Sequence, residues 1–138
     1  KVKPILEPLD LVVVGAEWGE GKRAEWLSSF ILACRKGGKL VETGRMASGF
    51  TEDELEELTK KLKALITETH GKIVRLKPEV VVEIGYEEIQ KSPKYESGYA
   101  FRFPRLLRIR SELEKTPKNA DTLQTIEKIY KMQRGRKK

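Results

Sequence analysis

The chain has 138 residues, 28 of them Lys or Arg and 21 Asp or Glu, for a net charge of +7 and a pI near 9.5. One domain with a core that folds unstapled is expected at this length. A single cysteine, Cys34, excludes a disulfide framework and a Cys-rich zinc site, and a single histidine, His70, leaves little room for a His-based triad. No apolar run approaches the roughly 18 residues of a membrane span. The chain opens Lys1-Val2-Lys3-Pro4-Ile5 without a signal-peptide pattern, so it reads as a soluble intracellular piece of a longer polypeptide.

In chain order, Leu9–Val14 is a β-branched run ending at Gly15, and predicts a strand. Gly15 to Arg23 carries three glycines but lacks the spacing and the Ser/Thr of a Walker loop. Ala24–Arg35 fits either a helical stripe (Trp26, Leu27, Phe30, Ile31, Cys34) or a strand buried on both faces. The following Gly37-Gly38 and Leu40–Thr43 have the form of a hairpin and favour the strand.

Thr51–Ile66 predicts a helix. Thr51 and Glu54 have capping-box spacing, and Phe50 and Leu55 have staple spacing. Leu55, Leu58, Leu62, Leu65 and Ile66 form one apolar face, with acids leading and lysines trailing. His70 is placed at the end of this helix. Val80–Ile84 alternates as a strand, and Gly85 marks a candidate bulge. Tyr99–Arg110 predicts a strand broken or bent at Pro104, with Leu107 and Ile109 on one side and Arg108 and Arg110 on the other. Asp121 is the expected cap of a last helix running to about Gln133. The order (three strands, helix, two strands, helix) is that of a mainly β OB-fold, a five-stranded barrel with a helix between strands 3 and 4, plus a C-terminal helix.

The positive charge is concentrated late. Residues 99–138 hold 12 basic and 4 acidic side chains, net +8, against +2, −2 and −1 for residues 1–50, 51–66 and 67–98. Such a surplus favours a polyanion, nucleic acid or nucleotide phosphate. Arg134, Arg136, Lys137 and Lys138 read as a solvated tail. Arg102, Arg105, Arg108 and Arg110 differ, because Phe101, Phe103, Leu106, Leu107 and Ile109 between them mount the cations on a packed element.

Other chemical readings fail. The neighbouring carboxylates Glu56-Glu57 and Glu87-Glu88 point apart, Cys34 sits in an apolar segment, and no lysine stands in a Lys-x-Asp-Gly context. No complete active site assembles from this chain.

The stretch Phe101-Arg102-Phe103-Pro104-Arg105-Leu106-Leu107-Arg108-Ile109-Arg110 resembles the last motif of ATP-dependent DNA ligases, within their C-terminal OB-fold domain, most closely the archaeal and eukaryotic replicative type. Leu9–Arg35 with Val13 to Arg23 inside it, Thr43-Gly44, Gly49-Phe50-Thr51, Lys77-Pro78-Glu79-Val80-Val81 to Ser92-Pro93, and Asn119 to Thr122 extend the likeness along the chain. Lys1-Val2-Lys3 looks like the tail of the preceding adenylation-domain motif. The resemblance settles Ala24–Arg35 as strand. One departure stands out. The family closes Arg-x-Asp-Lys, whereas this chain reads Arg110-Ser111-Glu112-Leu113-Glu114-Lys115, two residues longer and without a matching aspartate.

The resemblance implies an enzyme that seals nicked double-stranded DNA through enzyme–AMP and DNA–adenylate intermediates. This chain would close on ATP and then turn to the DNA minor groove. It would be inactive alone, with the nucleophilic lysine in an adenylation domain of the same polypeptide. By matching position, Lys1 and Lys3 would meet the α-phosphate; Arg102, Arg105, Arg108, Arg110 and Lys115 would serve the leaving phosphates or the closed pose. Magnesium would be held mainly by the adenylation domain. Residues 1–8 would be the end of that domain and a linker, 9–112 the OB domain, and 113–138 a helix and basic tail. A sliding clamp is a candidate partner, a membrane is not, and the expected location is the cytoplasm of an archaeon or the nucleus of a eukaryote. The 36% charged content and scarce Cys and Met lean towards a thermophilic or archaeal source. The alternatives are a free-standing OB module for single strands, which needs aromatic platforms, and the OB domain of an mRNA-capping or RNA-joining relative.

Overall fold

A computed structural model describes residues 7–19, 26–47, 50–110 and 116–135. Lys1, Lys3, Lys115 and the tail residues Arg136, Lys137 and Lys138 lie outside the described residues. The elements are β1 (Leu9–Trp18), β2 (Leu27–Lys36), β3 (Lys39–Met46), α1 (Glu52–Lys63), β4 (Ile66–His70), β5 (Ile73–Leu76), β6 (Val81–Gly85), β7 (Glu88–Lys91), β8 (Tyr99–Arg102), β9 (Arg105–Ile109) and α2 (Leu123–Gly135).

Strand β1 is the spine. It pairs antiparallel with β2 from Val12 to Trp18, with β6 from Leu9 to Val12, and with β5 from Gly15 to Glu17. It can change partner because its register shifts between Val13 and Gly15. A bulge there bends the strand and increases its twist. Gly15 allows the close approach here: a Cβ would stand 3.0 Å from Ile31 Cδ1 and 3.2 Å from the Val74 carbonyl. Strand β9 extends the sheet beyond β6.

The predicted OB order is present: β1, β2 and β3, then α1, then β6 and the β8–β9 unit. The barrel is drawn together at β3 and β8 without a continuous ladder. The Ser97 N–H donates to the Glu42 carbonyl at 3.0 Å, and the Ser97 hydroxyl bonds Thr43 Oγ1 at 3.0 Å. Leu11, Val13, Phe30, Leu32, Ile84 and Leu106 fill the interior. Helix α1 adds Leu55, Leu58 and Leu62, and its buried Thr59 accepts the Leu27 N–H at 3.0 Å. The capping box of Thr51 and Glu54 is formed, and Phe50 packs edge-on to Phe30 at 5.2 Å.

Several expectations are corrected. Helix α1 stops at Lys63, and Ile66–Leu76 is a hairpin, β4–β5, turning at Gly71 with φ +66°. Thr67 and Thr69 are β-branched, and Ile66 to Leu76 pair across the turn. His70 is therefore an exposed strand residue, 3.2 Å from Glu68, and meets no helix dipole. Strand β7, paired with β8, is a further addition. Thr122 caps α2, accepting the Thr125 N–H at 3.3 Å. Asp121 binds β1 instead, with its carboxylate taking the Asp10 N–H at 2.7 Å. Leu107 does not share an inward side with Ile109. A register shift in the β6–β9 pair leaves Leu107 42% exposed and turns Leu106 into the core.

Gln133 clasps α2 to the sheet. Its side-chain oxygen accepts the Ile89 N–H at 2.8 Å and its amide donates to the Ile89 carbonyl at 2.5 Å. Gln133→Leu leaves both buried backbone groups unpaired and should cost about 2 kcal/mol. That corresponds to a Tm lowered by about 8 °C in thermal denaturation followed by circular dichroism.

Candidate nucleotide and nucleic-acid interface

The cationic stretch lies on β8, β9 and the corner between them. Phe103 is the only non-glycine among the described residues with positive φ, +51°, and it precedes Pro104. Left-handed backbone is strained for a bulky residue. The corner turns the Phe103 ring outward, 59% exposed, with the Arg102 guanidinium 5.2 Å from its centroid. Sequence reading placed Phe103 among the packed residues. The available signal was its position directly before Pro104, where regular alternation must fail.

The four arginines divide. Arg110 is a structural latch: its side chain is 12% exposed, Nε donates to Asp10 Oδ1 at 3.0 Å, and its N–H donates to the Val81 carbonyl at 2.9 Å. Arg108 donates from Nε to Glu83 at 3.2 Å while its side chain stays 52% exposed. Arg102 stands 3.6 Å from Glu88 with equal exposure. Exposed pairs of this kind contribute roughly 0–1 kcal/mol, enough to orient a guanidinium without neutralising its outward face. Arg105 is exposed on β9, opposite Gly85, and has no carboxylate within ion-pair distance among the described residues. Gly85 suits this arrangement, because a Cβ there would lie 3.6 Å from Arg105 Nε.

Three guanidiniums thus face solvent on β8 and β9, Arg102 and Arg108 each beside a carboxylate and Arg105 opposite Gly85. Such an array can grip phosphate oxygens bidentately, so a polyphosphate fits the residues present. Among the described residues no group of three or more His, Cys, Asp or Glu side chains could hold a metal ion. Cys34 is buried, and burial pushes its thiol up to about 11, which removes it as a nucleophile near neutral pH. No helix among the described residues is long and apolar enough to cross a membrane.

The family described as the C-terminal region of ATP-dependent DNA ligases matches residues 23–113. The DNA ligase of Archaeoglobus fulgidus is 58% identical over 135 residues, 96% of this chain and 24% of that protein. The DNA ligase of Methanothrix thermoacetophila is 54% identical over 140 residues, 100% of this chain and 25% of that protein. The chain therefore spans about a quarter of the length of these curated relatives. Among solved structures, the ligase domain of M. tuberculosis LigD aligns with a TM-score of 0.67 at 24% identity, covering 83% of this chain and 38% of that one, a likeness of fold.

The division of the arginines has a direct consequence for stability. Arg110→Ala removes a nearly buried charged partner of Asp10 and should destabilise the chain by about 3 kcal/mol. Arg105→Ala should stay within about 0.5 kcal/mol of the parent. Urea denaturation of the two variants side by side measures both.

Proposed function

The chain belongs to the C-terminal region of ATP-dependent DNA ligases, and from that premise we propose that it closes on ATP during enzyme adenylation and then engages nicked duplex DNA for sealing. The observation that carries this reading is Arg105, exposed and unneutralised among the described residues, fixed between Arg102 and Arg108.

In the proposed reaction, a lysine nitrogen of the adenylation domain forms a bond to the α-phosphorus of ATP as the α–β bridging bond breaks, and pyrophosphate departs with the electron pair. Arg102, Arg105 and Arg108 stabilise the charge that grows on the departing oxygens. Cations fixed in advance are most effective for this purpose, because they need no reorganisation as charge develops. Lys1 and Lys3 at the α-phosphate, and Lys115 at the leaving phosphates, keep the roles the family pattern implies. Arg110 acts through its latch, holding β9 in place, and is a positioning residue. AMP then passes to the 5′-phosphate of the nick, and the 3′-hydroxyl displaces it. Magnesium, which assists phosphoryl transfer, would be held mainly by the adenylation domain.

For the DNA-bound pose, charge meets phosphate while the Phe103 ring fits the sugar and base edges of the minor groove, an apolar insertion known among groove binders. The free single-strand module is less well supported. Tyr86 is buried against Phe101 with its hydroxyl on the Glu7 carbonyl at 2.8 Å, and Tyr99 packs on Tyr130 at 5.3 Å. Those rings are committed to packing and offer few open platforms for bases.

Two substitutions in the full-length polypeptide separate the two poses. Arg105→Ala should slow self-adenylation by about 10²-fold while nicked-DNA affinity changes far less; equal losses in both assays would refute the assignment. Phe103→Ala should show the opposite bias, weakening nick binding by roughly tenfold and self-adenylation much less. Anisotropy titration with a nicked duplex and transfer of label from α-labelled ATP read the two quantities.

A further inference from the structure

Consecutive residues of a strand face opposite sides of a sheet. Arg102 and Phe103 break that pattern, since the guanidinium lies 5.2 Å from the ring centroid. The left-handed backbone of Phe103, at φ +51°, brings the ring to the side of its predecessor. A bulky residue in that conformation is strained and persists only where its surroundings hold it. A cation over the ring face is one such support.

Arg102 is held in turn by β7. Its carbonyl accepts the Glu87 N–H at 2.9 Å, and it stands directly opposite Glu88 in the β7–β8 ladder. The Glu88 carboxylate lies 3.6 Å from Arg102 Nη1, on a side chain only 20% exposed. Gln90, two residues along and so on the same face of β7, donates its amide to Glu88 Oε1 at 3.0 Å. Ile89, between them, is buried in the core, and its backbone is clasped by Gln133. One face of β7 therefore anchors the strand, and the other aims a carboxylate at Arg102.

The guanidinium thus meets a carboxylate and a ring at once. A carboxylate also competes with phosphate, because both accept the same charge-assisted hydrogen bonds from arginine. While Glu88 holds Arg102, the cation stays on the Phe103 ring. When a nucleotide phosphate claims Arg102, the ring loses that support.

We infer that Glu88 is a positioning residue acting through Arg102: it keeps the guanidinium on the Phe103 ring, so that the ring stands ready for nicked duplex, and withholds that cation from nucleotide phosphate. The inference rests on the reading of Phe103 as the side chain that enters the groove in the DNA-bound pose.

The test uses the full-length polypeptide carrying Glu88→Gln, Phe103→Ala, or both. By charge alone, removing a carboxylate near an anion site should tighten the binding of ATP and of nicked duplex together. A positioning role gives opposite signs. Affinity for nicked duplex, read by anisotropy, should fall about threefold, the scale of one exposed ion pair. The ATP concentration giving half-maximal self-adenylation should fall by a similar factor. In the Phe103→Ala background, Glu88→Gln should no longer weaken nick binding, because the two residues act through one contact. Tighter binding of both ligands, weaker binding of both, or a loss of nick binding that persists without the ring overturns the inference. If Phe103→Ala alone leaves nick binding intact, the DNA-bound pose itself fails and the inference falls with it.

Discussion

Asp10 ties together three parts of the fold that carry the cations. Its N–H donates to the Asp121 carboxylate, its carbonyl accepts the Asp121 N–H at 2.8 Å, and its own carboxylate accepts Arg110. One residue of β1 thereby fixes the start of α2 and the end of β9. Asp10 is 8% exposed, so these charge-assisted bonds lie in a setting of reduced screening. The orientation of Arg105 and Arg108 depends on this knot, because β9 lies outside β6 and has no other strand beyond it in the sheet among the described residues.

The knot explains why a run of four alternating arginines does not act as four equal cations. Strand alternation puts Arg108 and Arg110 on one side, facing Glu83 and Asp10. The nearly buried pair contributes to structure, and the Arg108–Glu83 pair stays half exposed. Arg105 lies on the other side of the β9 bulge, where the partner strand offers Gly85 in place of a carboxylate. Sequence spacing shows alternation; which acids a neighbouring strand presents is set by sheet register.

The same distinction governs what could be read from the chain alone. The capping box, the Gly-Gly hairpin, the break at Pro104 and the order of the main elements are local patterns, and all appear in the fold. The motif around Phe103 was legible as a motif, although its outward ring was not, since a positive φ before proline goes against residue preference. The helix was read too long because Leu65 and Ile66 continue its apolar stripe, and β pairing with Leu76 overrides that stripe. Asp121 looks like a cap in sequence, but its carboxylate goes to a strand 111 residues away. Only the Asp121 bond is a long-range pairing that no local window contains; Phe103 and the end of α1 are set by local geometry that outweighs residue preference.

Electrostatics also gives the domain a direction. The larger cavity, about 460 Å³, is walled by Glu42, Glu68 and Glu96, with Arg75 bonded to Glu42 at 3.1 Å. Its sign is opposite to that of the β2–β3 turn, lined by Arg35, Lys39 and Lys118, and of the β8–β9 corner, although Glu42 and Lys39 belong to the same strand. A uniformly basic surface would attract a polyanion in any orientation. Carboxylates between cationic ends disfavour most of those orientations, so the field selects a register as well as a partner. A net charge of +7 therefore describes this surface less well than the arrangement of its charges does.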